Sequence, residues 1–545
     1  MAALRTLLPA RSDLVAMARA PRRDLVAGVT VAIVALPLAL GFGISSGLGA
    51  AAGLVTAIVA GALAAVFGGS NLQVSGPTGA MTVVLVPIVA TFGPGGVLTV
   101  GLMAGLLLIT LAAARAGRYM RYVPTPVVEG FTVGIAAVIA LQQVPTALGV
   151  PTPHGDNVAL VAARAVGQFA AHPNWSALSL ALGVALMMLL GARWRPSVPF
   201  SLLAVGAATV VAHVTHLPAA LIGALPSTLP APSLGFLDLS TLTTLVPSAV
   251  AVAALAALES LLSATVADGM SVGERHDPDR ELFGQGLANV VTPLFGGVPA
   301  TAAIARTAVN VRAGARSRLA SLTHALVLAA IVFAAAPVVA MIPVAALAGV
   351  LLATAVRMVE VGSVRALLRS TRADAVVLVL TAATTLALDL VTAVILGLVV
   401  AGALALRSIA RTVRIEEVPL DHGHHAEEEQ ALLAEHIVAY RLDGPLFFAA
   451  AHSFLLELTE IADVKVVILR LSRISTMDAT GALVLHDVVE RLERRGITVL
   501  ISGIKPGHER VLDTVGVAER LRDRGRLFAT TPEAIERART LLPRS

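Results

Sequence analysis

The sequence predicts an α-helical polytopic membrane bundle followed by a small α/β domain. Of its 545 residues, 56% are hydrophobic and only 14% are charged, which is more apolar than one soluble core can bury. Residues 25–114 contain no charged residue, a stretch long enough for about four spans of roughly 20 residues each. Beyond the polar run 421–430, short strands alternate with helices, which is typical of an α/β domain.

The composition also excludes several classes of protein. Aromatic residues make up only 3% of the chain, whereas it has 46 glycines and 29 prolines, as in closely packed helices with local breaks. A transmembrane barrel would show short segments of alternating polarity between aromatic girdles, and neither occurs. The arginines behind the net charge of +5 form small groups beside apolar spans, so no nucleic-acid partner is expected. Without cysteine, the chain has no thiol nucleophile and no cysteine metal site.

About fourteen transmembrane spans can be counted, two of them short. Within residues 25–114, breaks are expected at 47–53, at 68–79 and at Pro94 with the two glycines that follow it. The later apolar runs lie at about 124–142, 176–191, 197–214, 245–267, 282–297, 300–310, 318–338, 340–356, 373–390 and 392–410.

The arginines predict the orientation of these spans. Small groups of them follow or precede apolar runs near positions 22, 115, 193, 312, 357 and 407. In a fourteen-span count all of these groups fall on one side, which the positive-inside rule assigns to the cytoplasm. We therefore expect a multi-pass protein of the plasma (inner) membrane with both termini cytoplasmic, and the Pro-rich loops 145–175 and 215–243 on the opposite side.

Two broken segments indicate a candidate anion site. Residues 74–79, Val-Ser-Gly-Pro-Thr-Gly, and residues 296–306 each place glycine and proline before a short apolar helix. A broken helix at membrane depth is tolerated where it lines a cavity, and two of them in corresponding halves point to one binding site. Free N–H groups and the helix dipole at such N-termini favour an anion.

Two ionisable residues within apolar runs are further candidates. Glu259 lies in the middle of a span, where inserting a charge costs about 2.5 kcal/mol or more, and Ser263 follows one turn later on the same face. Arg306 lies on the second short helix, so a purely structural Glu259–Arg306 ion pair is the alternative interpretation. Glu129 lies near the cytoplasmic end of its span, where a structural role is favoured over substrate contact.

The domain boundaries follow from the change in composition. We assign residues 1–412 to the transmembrane domain, 413–432 to a linker and 433–545 to the soluble domain. Three linker histidines, His422, His424 and His425, lack a defined ligand spacing, so a solvated linker is favoured over a zinc site. No cofactor or metal is expected.

Together these residues resemble the sulfate permease (SulP) family of anion transporters, bacterial relatives of the vertebrate multifunctional anion exchangers. The resemblance covers nearly the whole chain. Its motifs are the first span from Asp24 to Ala32 with Pro37, the segment from Ser75 to Thr78, Pro126 to Phe131, Glu259 to Ser263 with Ala267 and Asp268, and Ala305 to Asn310.

The resemblance implies an architecture and a site. The expected architecture has seven-plus-seven inverted repeats that form a core and a gate domain with elevator-type movement, a cytoplasmic C-terminal STAS domain, and a homodimer. The expected anion lies between the two half-helices, and Arg306 would add a positive field. The candidate substrate contacts are Gly76, Thr78, Ser263, Ala303, Ile304, Ala305 and Arg306.

Departures from the family pattern bear on coupling and regulation. Sodium-coupled bicarbonate carriers of the family have Asp and Thr where this chain has Glu259 and Ser263, so coupling to protons through Glu259 is favoured. Leu38 replaces a frequent Gln after the first-span proline, which removes a polar contact to the substrate. Ala479 follows Asp478 where a phosphorylatable Ser is found in STAS relatives, so phosphorylation there is not expected.

The function predicted from the sequence is therefore secondary active transport of a small inorganic anion into the cell, with sulfate favoured and H⁺ as the coupling ion. A bicarbonate or dicarboxylate transporter of the same family is the nearest alternative. An anion-sensing membrane receptor and an uncoupled anion channel are alternatives of other classes. No enzymatic activity is expected.

Overall fold

A computed structural model describes residues 7–155, 157–195, 198–226, 228–271, 275–388, 390–410, 414–417, 436–446 and 464–542. The chain divides into two compact units, residues 1–398 and 399–545. The helices up to residue 410 are α1 (Arg11–Arg19), α2 (Pro21–Ser45), α3 (Ala50–Phe67), α4 (Gly79–Ala113), α5 (Thr125–Leu148), α6 (Val158–Ala171), α7 (Trp175–Trp194), α8 (Phe200–Val214), α9 (Leu242–Met270), α10 (Pro278–Val291), α11 (Ile304–Arg312), α12 (Arg318–Ala340), α13 (Val344–Met358), α14 (Val361–Ser370), α15 (Arg372–Ala387) and α16 (Leu390–Ala410).

The helices confirm the predicted fold class. In the part of the chain that the structure describes, nine helices are long and apolar enough to cross a membrane, and α6 and α8 are shorter apolar helices. The total of about fourteen spans stays a prediction. The third and fourth predicted spans are both contained in α4, whose backbone breaks at Gly93 (φ 68°, ψ −174°), one residue before the predicted break.

One predicted loop is wrong in part, because the structure has helix α6 within residues 145–175. Asn157 caps this helix by accepting hydrogen bonds from the N–H groups of Ala159 (3.0 Å) and Leu160 (3.2 Å). The prolines at the start of the segment obscured this short apolar helix in the sequence.

Some helix pairs of the bundle approach closely through small residues. Helix α2 packs against α3 and α12, α4 packs against α9 and α10, and a second group forms around α5, α13 and α15. A Cβ atom on Gly53 of α3 would lie 2.0 Å from the carbonyl oxygen of Ala39 in α2, so these two helices touch through their backbones. Small residues allow this approach in membranes, where close van der Waals packing holds helices together.

A two-residue antiparallel ladder joins the two halves of the bundle. Strand β1 (Ser75–Gly76) pairs with β2 (Thr301–Ala302), with Ser75 opposite Ala302 and Gly76 opposite Thr301. In the first half two helices, β1 and α4 follow one another, and the second half repeats this order with α9, α10, β2 and α11. The antiparallel pairing is the arrangement expected of inverted repeats.

The second unit contains a six-stranded sheet with helices between its strands, which is the α/β fold that the sequence predicts. Its strands are β3 (Arg414–Glu417), β4 (Ile437–Leu446), β5 (Val466–Arg470), β6 (Ile474–Met477), β7 (Thr498–Ser502) and β8 (Leu527–Phe528), and its helices are α17 (Ala479–Arg494), α18 (Pro506–Thr514), α19 (Val517–Asp523) and α20 (Thr531–Leu541). The order is β3-β4-β5-β7-β8, with β6 also paired to β4. Apart from β3, which pairs antiparallel, the strands run parallel.

Both faces of this sheet carry a hydrophobic core. Val467, Leu469 and Ile501 pack on the side of α17, and Ile468 and Leu500 pack against α20. Alternate residues of a strand point to opposite faces, so these apolar runs read as strands buried on both sides.

The segment assigned to the linker, residues 413–432, contains strand β3, which belongs to the sheet. The three linker histidines lie outside the described residues. Asp478 caps α17 by accepting from the Gly481 N–H (2.8 Å), and Ala479 is exposed at the first position of that helix.

Candidate anion site

The two predicted half-helices begin side by side at the β1–β2 ladder. Helix α4 starts after Thr78, whose Oγ1 accepts from the Met81 N–H (3.3 Å). Helix α11 starts after Ala303, which provides no side-chain cap. The first-turn N–H groups of an uncapped helix and its dipole favour an anion. Ile304, 37% exposed, and the exposed Ala305 form this first turn, so α11 offers the more open N-terminus.

Two of the predicted substrate contacts are engaged elsewhere. The Ala303 N–H donates to the Val74 carbonyl (3.0 Å) and so extends the ladder. The Ser263 hydroxyl is fully buried and donates to Thr307 Oγ1 (2.9 Å), which in turn accepts from the Val74 N–H (3.1 Å). The Ala303 N–H and the Ser263 hydroxyl therefore support the ladder. Ile304 and Ala305, the first two residues of α11, remain at its exposed N-terminus.

We call the β1–β2 ladder, together with the starts of α4 and α11, the junction. Arg306 connects the two halves of this junction. Its side chain is only 1% exposed, and Nη2 donates to the Pro77 carbonyl (2.6 Å). A Cβ atom on Gly76 would lie 2.6 Å from Nη1, so glycine is needed where the guanidinium passes the strand. The predicted positive field is thus combined with a structural contact that holds the turn preceding α4.

Glu259 reaches the same junction from α9. Its Oε2 accepts a hydrogen bond from Thr78 Oγ1 (2.9 Å), and its side chain is partly buried. Within the described residues no direct ion pair joins Glu259 to Arg306, which argues against the purely structural alternative. One carboxyl group is therefore hydrogen-bonded to the capping residue of one half-helix.

A row of polar residues that was not predicted from the sequence supports the ladder. Glu281, Gln285 and Asn289 repeat every four residues along α10 and therefore share one face. Gln285 Nε2 donates to Ser75 Oγ (2.6 Å) and to Glu281 Oε1 (3.0 Å), while Asn289 Nδ2 donates to the Ala300 carbonyl (2.8 Å). This spacing was legible in the sequence and would have indicated a polar face on α10, although not the partners of that face.

Three other singled-out residues have no described hydrogen bond to the ladder. Glu129 accepts from Ser363 Oγ at the start of α14 (2.8 Å), in agreement with a structural role. Asp24, from the first motif, is buried and accepts from the N–H groups of Arg316 (2.6 Å) and Ser317 (3.1 Å). These two acidic residues therefore connect helices. Leu38 is 7% exposed and packs in the hydrophobic core.

Comparison with known proteins agrees with this architecture. Residues 22–381 match the Sulfate permease family, and residues 430–534 match the STAS domain. The chain belongs to the Sulfate permease family. It is therefore a multi-pass membrane anion transporter with a C-terminal STAS domain, and not an enzyme.

Individual relatives differ in the anion that their names give. The chain is 34% identical to a putative sulfate transporter YvdB of Bacillus subtilis, over 92% of this chain and 94% of the relative. It is 30% identical to the bicarbonate transporter BicA of Synechocystis, over 91% of this chain and 90% of the relative. The murine Solute Carrier 26 family member A9 anion transporter, solved in the inward-facing state, matches its fold with a TM-score of 0.83 and 17% identity, over 99% of this chain and 95% of that chain.

Replacing Arg306 is expected to weaken anion binding without unfolding the bundle. Arg306→Ala removes the positive field and the contact with Pro77 that holds the turn before α4, and a loss of about 1.4 kcal/mol of attraction corresponds to tenfold in affinity. Affinity should therefore fall by about tenfold or more, measured by isothermal titration with sulfate on detergent-solubilised protein of unchanged elution volume. Unchanged affinity in a folded variant would remove Arg306 from the site.

Proposed function

We propose that this member of the family is a proton-coupled importer of sulfate that works by an elevator mechanism. The observation that carries the proposal is the hydrogen bond between Glu259 and Thr78 at the paired N-termini of α4 and α11. Sulfate would bind to the first-turn N–H groups of α11, around Ile304 and Ala305, with Gly76 and Thr78 on the opposite side. Helix N-termini bind such oxyanions through N–H groups and the dipole.

Proton coupling follows from the position of the carboxyl group. An ionised Glu259 next to an incoming anion is repulsive, whereas a protonated one is neutral. Proton and anion should therefore bind together, and each should raise the affinity for the other by the same factor. Arg306 opposes this coupling because its charge favours the ionised carboxylate. The buried guanidinium and Glu259 have no direct contact among the described residues, which limits that opposition.

Transport of labelled anions into proteoliposomes tests the proposal. Sulfate uptake should exceed its equilibrium level when an inward proton gradient is imposed and should stop at equilibrium without one. Uptake that only equilibrates under every gradient would indicate a channel. Binding without uptake would indicate a receptor that signals through its STAS domain.

Bicarbonate is the second candidate substrate, and the 30% identity to BicA favours it. The backbone N–H groups at the site would accept a smaller oxyanion in the same way. Competition of unlabelled bicarbonate and a dicarboxylate against labelled sulfate separates the candidates, and repetition under a sodium gradient identifies the coupling ion. Inhibition by bicarbonate at lower concentration than by sulfate itself would exchange the two assignments.

The STAS domain is expected to regulate transport without being needed for membrane insertion. Each of the two units has its own hydrophobic core, so each can fold without the other. Deletion of residues 432–545 should leave an inserted bundle with an altered transport rate, measured in proteoliposomes that contain equal amounts of protein. A truncated chain that cannot insert would contradict this independence.

Assembly and orientation complete the proposal. We propose a homodimer in the plasma membrane with both termini in the cytoplasm. Cross-linking in intact membranes and accessibility of tags at the two termini test these assignments.

A further inference from the structure

The Thr78 hydroxyl has a fixed capacity for hydrogen bonds. A hydroxyl group donates one hydrogen bond and accepts two. Its oxygen accepts from the Met81 N–H (3.3 Å), and Glu259 Oε2 lies 2.9 Å away on its other side. An ionised carboxylate only accepts, so the single Thr78 proton must then point to Glu259 and is unavailable to an anion.

Protonation of Glu259 on Oε2 reverses the direction of this bond. The carboxylic acid becomes the donor, and its O–H occupies the second acceptor position of Thr78 Oγ1. The Thr78 proton is then free to turn toward the start of α11. All three hydrogen-bonding positions of the hydroxyl are filled only in this state, with Met81 and Glu259 as donors and the anion as acceptor.

We propose that Thr78 is an anion ligand that is available only when Glu259 carries a proton. The inference rests on the proposed proton coupling and adds a ligand to it, because the coupling proton would do more than remove a repulsive charge. It would also supply the anion with one additional donor. The charge at Glu259 and the hydrogen bond at Thr78 therefore change in the same step.

Within the described residues, no titratable group other than Glu259 is hydrogen-bonded to Thr78. From α11, Arg306 donates to Pro77. From α10, Glu281 Oε2 accepts from the N–H groups of Gly69 (2.8 Å) and Ser70 (3.2 Å). The buried imidazole of His324 in α12 lies near Gly61 and within the field of Arg306, and the charge-free helix α4 contributes none. Thr78 therefore responds to the protonation of Glu259 by direct contact.

The test compares anion affinity at acidic and alkaline pH, set equal on both sides of the membrane so that no gradient acts. The probe is labelled sulfate, or labelled bicarbonate if that is the anion which the wild type accumulates. Thr78→Val removes the hydroxyl and should raise KM about tenfold at acidic pH, the size expected of one hydrogen bond to a charged group. At alkaline pH, where the hydroxyl already points to Glu259, the change should be less than about twofold by the same reasoning.

Two matched variants separate this role from helix capping. Thr82→Val removes a buried hydroxyl one turn later in α4, which donates to the Thr78 carbonyl (2.9 Å), and should affect KM equally at both pH values. Thr78→Asn keeps a capping oxygen and has two N–H donors. One can bind the carboxylate while the other binds the anion, so KM in this variant should depend less on pH than in the wild type.

The outcomes distinguish failure of the inference from failure of the proposed function. An equal rise in KM at both pH values for Thr78→Val, or an unaltered pH dependence for Thr78→Asn, would overturn the ligand role and leave coupling through Glu259 intact. Coupling itself is read separately, from accumulation driven by a proton gradient. In a Glu259→Gln background, Thr78→Val should raise KM at both pH values, because the amide donates to Thr78 permanently.

Discussion

Glu259→Gln is expected to exchange anions but to lose accumulation driven by a proton gradient. The amide resembles the protonated acid, so the variant should bind the anion at the paired half-helices at both acidic and alkaline pH. For one proton per anion, a gradient of one pH unit supplies about 1.4 kcal/mol and drives up to about tenfold accumulation in the wild type. In the variant the internal concentration should not exceed the external one, measured with labelled sulfate in proteoliposomes.

Glu129→Gln is the matched control for this experiment. It removes another carboxyl group from an apolar helix, but one that is bound to Ser363 and lies away from the ladder. It should retain gradient-driven accumulation. Full accumulation by the Glu259 variant would rule out Glu259 as the coupling group, whatever the behaviour of the control.

Gly76→Ala is expected to abolish transport. The added methyl group would lie 2.6 Å from Arg306 Nη1 and 3.4 Å from the Cα atom of Ala57, on a buried strand where Gly76 has a φ of 155°, a backbone conformation that other residues rarely adopt. Overpacking of this kind costs about 1–3 kcal/mol, and here it would push the guanidinium away from the Pro77 carbonyl. Uptake should fall by more than about tenfold, measured at equal amounts of protein in the membrane.

Gly61→Ala provides the comparison for this substitution. In α3 a Cβ on Gly61 would meet the Ser75 carbonyl at 3.4 Å and His324 Nδ1 at 3.8 Å, which are ordinary van der Waals contacts. The same methyl group, close to the same strand, should therefore leave most of the uptake. If both variants transported equally, the passage of Arg306 beside Gly76 would not require glycine.

The junction was predictable because its signals are local. Glycine and proline before two short apolar helices identified the breaks that precede α4 and α11, although not the β1–β2 ladder between them, and a mid-span carboxyl group singled out Glu259. The STAS fold was predictable for the same reason, since its buried parallel strands are continuous apolar runs. Short elements such as β8 and α19 carry too little periodicity to be predicted, since they have only two and seven residues.

The sequence did not reveal which polar groups of the site already have hydrogen-bond partners within the protein, because those bonds join distant segments. Ser263 lies one turn from Glu259, yet its hydroxyl is taken by Thr307, 44 positions later. The N–H of Ala303 is taken by Val74 in the other half of the chain. Neither contact leaves a trace in the local sequence. The direct bond between Glu259 and Thr78 spans 181 positions and was equally hidden.

The two-residue ladder has a consequence for the energetics of the transport cycle. Because β1 and β2 are tied together by backbone pairing, and Arg306 adds a second tie across them, the spacing of the two helix N-termini is set by the carrier and not by the side from which the anion arrives. An anion held between them would meet the same donors whether it came from outside or inside. Net direction would then be determined by the ion gradients across the membrane, and the same protein would release accumulated anion once those gradients were reversed.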